Sequence, residues 1–82
     1  MPIVFIFIKA NPGKINNVLH EVQKIKEVKE AYAVTGDFDL IVKRDVKRVN
    51  EASRIILDSI HNLDGVEKTS TSIVLRQPEE RQ

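Results

Sequence analysis

The chain is 82 residues long, with 13 Lys and Arg against 12 Asp and Glu and a formal net charge of +1. That length supports one domain with a thin core, since folding at this size removes only about 60–65% of the unfolded surface from water. The near-balance of charge argues against a strongly basic nucleic-acid clamp or an acidic tail. The absence of cysteine excludes a disulfide framework, a thiolate metal site and a Cys nucleophile, and it fits a reducing, cytoplasmic setting.

Residues Ile3 to Lys9 are β-branched and aromatic without alternation, which predicts a strand buried on both faces. Its apolar run is far short of the ~18 residues of a membrane span, and it lacks the lead-in and cleavage site of a signal peptide. Asn11-Pro12-Gly13 stops the strand, with Asn11 as N-cap and Pro12 at the first helical position. Apolar residues at Ile15, Val18, Leu19, Val22 and Ile25 then give the stripe of an amphipathic helix.

From Val28 to Thr35 the period changes to two and predicts a second strand. Thr35-Gly36-Asp37-Phe38 has the chemistry of a type II′ hairpin turn, so a third strand, Phe38 to Lys43, pairs antiparallel with the second. A second helix is expected from Val46 to His61, with Val49, Ala52, Ile56 and Ile60 inward and Gly65 beyond its end. Glu67 to Arg76 gives the last strand, and residues 77–82 a polar tail after a domain of residues 1–76.

The order β-α-β-β-α-β is that of an α+β, ferredoxin-like sandwich: a four-stranded antiparallel sheet with two helices on one face. The first and third strands occupy the centre of such a sheet, and their apolar runs imply that the face opposite the helices is also covered. A second copy packed sheet to sheet about a two-fold axis is the economical cover. Val4, Ile6, Ile8 and Ile41 are the residues expected at that dimer interface.

Enzyme chemistry finds little support. Three glycines leave no phosphate cradle or dinucleotide fingerprint, so no cofactor is expected. His20 and His61 are far apart and without cysteine partners, so no metal site is expected either. Lys43-Arg44-Asp45-Val46-Lys47-Arg48 is the sole basic cluster; it reads as a solvated loop and helix start rather than a phosphate-binding surface. Phe5 and Phe7 lack basic neighbours, as core residues do and base-stacking ones do not. No direct nucleic-acid contact is expected.

The informative constellation is Gly36-Asp37-Phe38-Asp39 together with the hydroxyl run Thr69-Ser70-Thr71-Ser72. Carboxylates beside a glycine turn place acceptors for an ammonium near backbone N–H groups that receive a carboxylate, a combination suited to a zwitterion. The blander alternative makes Gly36-Asp37 a hairpin tip, Asp39 an edge-capping charge and the hydroxyls the polar side of an edge strand.

With Val-Thr-Gly-Asp-Phe-Asp-Leu at 34–40, Leu-Asp-Gly-Val at 63–66 and Ser-Ile-Val-Leu at 72–75, the chain resembles the effector-sensing RAM domain of Lrp/AsnC-type transcriptional regulators. The resemblance implies a non-enzymatic module that dimerises, assembles into rings of eight or ten subunits and binds small effectors, typically amino acids, between dimers. It assigns Gly36, Asp37, Phe38 and Asp39 to the effector crevice and, less specifically, Thr69, Thr71 and Ser72. Full regulators of this type carry an N-terminal helix-turn-helix unit, so the sequence looks like a sensor module on its own. Two other readings stand beside it: a ligand-free protein that mixes into rings with helix-turn-helix regulators, and an ACT-like regulatory subunit of a metabolic enzyme.

Overall fold

A chain reversal after the first strand leads the backbone onto one face of the sheet. A computed structural model describes residues 3–45, 58–76 and 78. Strand β1 (Ile3–Ala10) leads into a turn in which Pro12 and Gly13 hold the two central positions and Lys14 N–H donates to the Asn11 carbonyl at 3.0 Å. Asn11 therefore opens a type II turn instead of capping the helix. The cap position is Lys14, which makes no side-chain capping bond.

Helix α1 (Ile15–Gln23) buries Val18 and Val22, with Ile15 and Leu19 partly covered beside them. Beyond its end, Ile25 N–H bonds the Val22 carbonyl and Val28 N–H bonds the Ile25 carbonyl, each at 3.1 Å. These tight turns lead to β2 (Glu30–Ala33), shorter than the expected strand. β3 (Leu40–Asp45) and β4 (Val66–Ile73) complete an antiparallel sheet of order β2-β3-β1-β4.

β1 is central, pairing with β3 from Ile3↔Asp45 to Ile8↔Leu40 and with β4 from Val4↔Ile73 to Ala10↔Val66, with a register slip between Lys9 and Ala10. The second helix was expected over Val46 to His61. Residues 46–57, including Val49, Ala52 and Ile56, lie outside the described residues; the backbone is helical at 58–61, and Ile60 is fully buried. Ile60 shares one core with Val18 and Val22, so both helical segments cover the same face of an α+β, ferredoxin-like sheet.

Burial along β1 alternates strictly although its hydrophobicity does not. Val4, Ile6, Ile8 and Ala10 are buried with Leu40 and Val42 of β3, while Ile3, Phe5 and Phe7 are half-covered on the opposite face. The expected interface residues Val4, Ile6 and Ile8 are therefore core residues, each at most 1% exposed. The helices occupy their side of the sheet. Of the four residues expected at the interface, only Ile41 lies on the open face, flanked by Phe7 on β1 and Tyr32 on β2. On β2 it is Ala31 that packs on the core, leaving Tyr32 52% exposed.

Gly65 closes the approach to β4. It has φ +96°, and a Cβ there would lie 2.7 Å from Lys14 Cβ, so the chain passes against the start of α1 at a distance only glycine permits. Its carbonyl accepts the Asn11 N–H at 2.7 Å, tying the turn before α1 to the segment that leads into β4.

Candidate functional site

The connection between β2 and β3 is closed by Val34 N–H donating to the Asp39 carbonyl at 2.9 Å. Gly36 has φ +117°, a conformation that favours glycine, and nothing lies within 4 Å of where its Cβ would be. Asp37 is exposed, and Phe38 and Asp39 are half-buried. The tip is thus an open backbone segment with a solvated carboxylate.

Two residues moor it. Phe38 lays its ring against Phe7 of β1 (centroids 5.8 Å apart, planes at 49°), and Lys68 Nζ of β4 sits 5.7 Å from the Phe38 centroid. Each of these contacts contributes about 0.5–1 kcal/mol at an exposed site. Asp39 donates its N–H to the Ile8 carbonyl at 2.9 Å, and its carboxylate Oδ2 accepts from Ala10 N–H, also at 2.9 Å.

The hydroxyl run divides between the two faces of the sheet. Directly paired residues of an antiparallel ladder share a face. Thr69 and Thr71 stand opposite Ile8 and Ile6 and belong to the helix-covered side, whereas Ser70 and Ser72 stand opposite Phe7 and Phe5 on the open side. Ser72 is therefore on the same face as Phe38's partner Phe7, and Thr69 and Thr71 are not. The seven expected ligand-binding residues do not converge. Phe38 packs at the open face against Phe7, Gly36 and Asp37 are exposed beside it in the chain, and one oxygen of Asp39 is committed to β1.

Sequence reasoning passed over Lys68 and, although it noticed the hydroxyl run, assigned Thr69, Thr71 and Ser72 to the crevice but not Ser70. Counting back from Ser72 by twos would have placed Ser70 and Lys68 on the Phe7 face. Lys68 also stands directly opposite Lys9 in the ladder, and like charges so paired are destabilising.

The basic cluster is not a single presented surface. Lys43 lies 3.6 Å from Glu30, and Lys29 donates to Asp45 at 2.9 Å, which holds the Asp45 carboxyl below its usual range and raises Lys29. Arg44 is turned to the core side; burial lowers its pKa and the charge of Glu27 partly restores it. Val46, Lys47 and Arg48 lie outside the described residues. Among the described residues no cluster of His, Asp or Glu is placed to hold a metal ion, and no helix is long and apolar enough to cross a membrane.

The family model of the Lrp/AsnC ligand binding domain matches residues 3–82. The chain belongs to that family. The Lrp/AsnC domain is 39% identical over 74 residues to the HTH-type transcriptional regulator FL11 of Pyrococcus furiosus, covering 90% of this chain and 48% of that protein. It is 30% identical over 78 residues to the leucine-responsive regulatory protein of Klebsiella pneumoniae, covering 92% and 48%. The chain thus spans about half the length of these curated relatives. Among solved structures, TTHA0845 from Thermus thermophilus superposes with a TM-score of 0.89 at 28% identity, covering 98% of this chain and all of that one. Of the two curated relatives, the first is named as a transcriptional regulator and the second as a regulatory protein, neither as an enzyme.

Proposed function

We propose that this Lrp/AsnC domain is an amino-acid-responsive sensor acting in transcriptional or metabolic regulation, and that it pairs sheet to sheet with a second copy as the unit of a larger ring. The family match over residues 3–82 carries the reading. The name of the leucine-responsive relative supports an amino acid as effector. The turn supports it chemically: Asp37 offers a solvated acceptor for an ammonium, while Lys68 and the backbone around Gly36 offer partners for a carboxylate. Binding at the rim of the open face would couple effector to assembly, since a ligand stabilises whichever state completes its site.

The pairing surface is the half-covered face carrying Ile3, Phe5, Phe7, Ile41 and Tyr32. Thermal melts with each of the twenty L-amino acids, followed by light scattering, test both parts. At least one amino acid raises the midpoint, by the equivalent of about 2.7 kcal/mol at a hundredfold excess over Kd. No shift from any of them, with a mass that does not exceed one chain, overturns the reading. No shift with an intact oligomer would leave the ligand-free, ring-mixing role in its place.

A further inference from the structure

Ala10 sits where β1 loses β3: the last rung of that pairing is Ile8↔Leu40, and on the other side the β4 register slips between Lys9 and Ala10. A part-buried backbone N–H at such a break requires an acceptor. It finds the Asp39 carboxylate, across 29 residues of chain. The same Asp39 donates its own N–H to Ile8 and accepts from Val34 through its carbonyl. One residue is therefore fixed at its N–H, its carbonyl and its side chain, immediately after Phe38, whose ring meets both Phe7 and Lys68.

We propose that Asp39 is a positioning residue of the effector turn: its carboxylate holds the Gly36–Phe38 segment against β1 and makes no contact with the effector itself. This rests on the reading of the turn as the effector site. The physical ground is the asymmetry within the segment. Gly36 has open space around it and Asp37 is exposed, so the tip has little of its own to fix it. Without an anchor the effector must order the tip as it binds, and affinity falls by the cost of that ordering. Asp37 and Asp39 look equivalent in sequence, yet they divide the work: Asp37 faces solvent and is free to meet an ammonium, and Asp39 keeps it in place.

Asparagine separates the two roles, because its amide oxygen still accepts from an N–H but carries no charge for an ammonium. The experiment compares wild type, Asp39→Asn and Asp39→Ala by amide hydrogen exchange without ligand, and by calorimetry with whichever L-amino acid shifts the wild-type melt. In Asp39→Ala the Ala10 amide loses protection tenfold or more while the amides of Ile6 and Val42 report the intact core, and affinity falls at least tenfold. Asp39→Asn keeps both within about threefold. Equal loss of affinity in the two variants, with Ala10 protection retained in Asp39→Asn, makes Asp39 a direct ammonium partner and overturns the proposal. Unchanged Ala10 protection in Asp39→Ala overturns it as well. If no amino acid binds wild type, the functional reading falls, while the Ala10 amide still decides whether Asp39 anchors the turn.

Discussion

Replacing Gly65 by alanine adds one methyl group at the most constrained glycine of the fold. Two costs arise at once. An L-residue at φ +96° is strained by about 1–2 kcal/mol, and the new Cβ would meet Lys14 Cβ at 2.7 Å and Val18 Cγ2 at 3.1 Å. The first of these atoms is next to the backbone at the start of α1 and the second belongs to a fully buried side chain, so neither can swing away and the helix start must move off β4. That movement also stretches the 2.7 Å bond from Asn11 to the Gly65 carbonyl. With overpacking and a weakened hydrogen bond added, the total is about 3–6 kcal/mol, a large part of the roughly 5–15 kcal/mol that holds a small domain together. The thermal midpoint followed by circular dichroism should fall by at least roughly 12 °C. Gly36→Ala is the control: φ is again positive, but nothing lies within 4 Å, so only the strain of about 1–2 kcal/mol remains. Equal depression of the midpoint by the two variants would refute the close-approach argument.

Other perturbations separate the two faces of the sheet. Phe5→Glu places a charge on the open face and should convert the oligomer to monomer in sedimentation velocity while the fold persists; Ile6→Ala, one residue away in the core, should cost about 2–5 kcal/mol in urea unfolding of a species that still self-associates. Asp37→Ala and Lys68→Ala should each weaken amino-acid binding by about tenfold in calorimetry, and full affinity in both would remove the turn from the site. The exposed Lys29–Asp45 pair gives a pH signature at low salt. Because Asp45 is depressed, its contribution is present above the ordinary carboxylate range near pH 3.9 and is lost as pH falls through the lowered value; because Lys29 is raised, its contribution is present below about 10.4 and is lost as pH rises through the raised value. Asp45→Asn should flatten both limbs of the urea midpoint plotted against pH, and an unchanged profile would show that the pair contributes nothing.

The strands and α1 were legible because each has a period that polarity reveals: Val18 and Val22 stand out from polar neighbours, and Gly36 punctuates the hairpin. Where polarity carries no contrast, the face was not legible. Along Ile3 to Ile8 every residue is apolar, so the choice between Val4-Ile6-Ile8 and Ile3-Phe5-Phe7 for the core is made by where the helices lie, which a local pattern does not encode. The hydroxyl run has the same defect, since Thr69 and Ser70 look alike in sequence and point to opposite sides. Asn11 was misread because Asn-Pro-Gly suits both a helix cap and a type II turn, and the Lys14 to Asn11 bond settles it. The site was half visible. The Gly36–Asp39 motif drew notice by composition, but the bond from Ala10 to Asp39 and the nearness of Lys68 to Phe38 join segments about 30 residues apart, and only the folded register brings them together.

The position of β1 also bears on how the molecule is made. It is the first strand of the sheet to leave the ribosome and the one at its middle, between partners that follow some 30 and 60 residues later. Until β3 arrives it is an apolar strand with two open edges, and until β4 arrives one edge is still unclaimed. Pairings this distant in sequence form slowly and leave sticky edges waiting. The interval between synthesis of β1 and closure by β4 is therefore the stage at which the nascent chain is most exposed to mispairing with its neighbours.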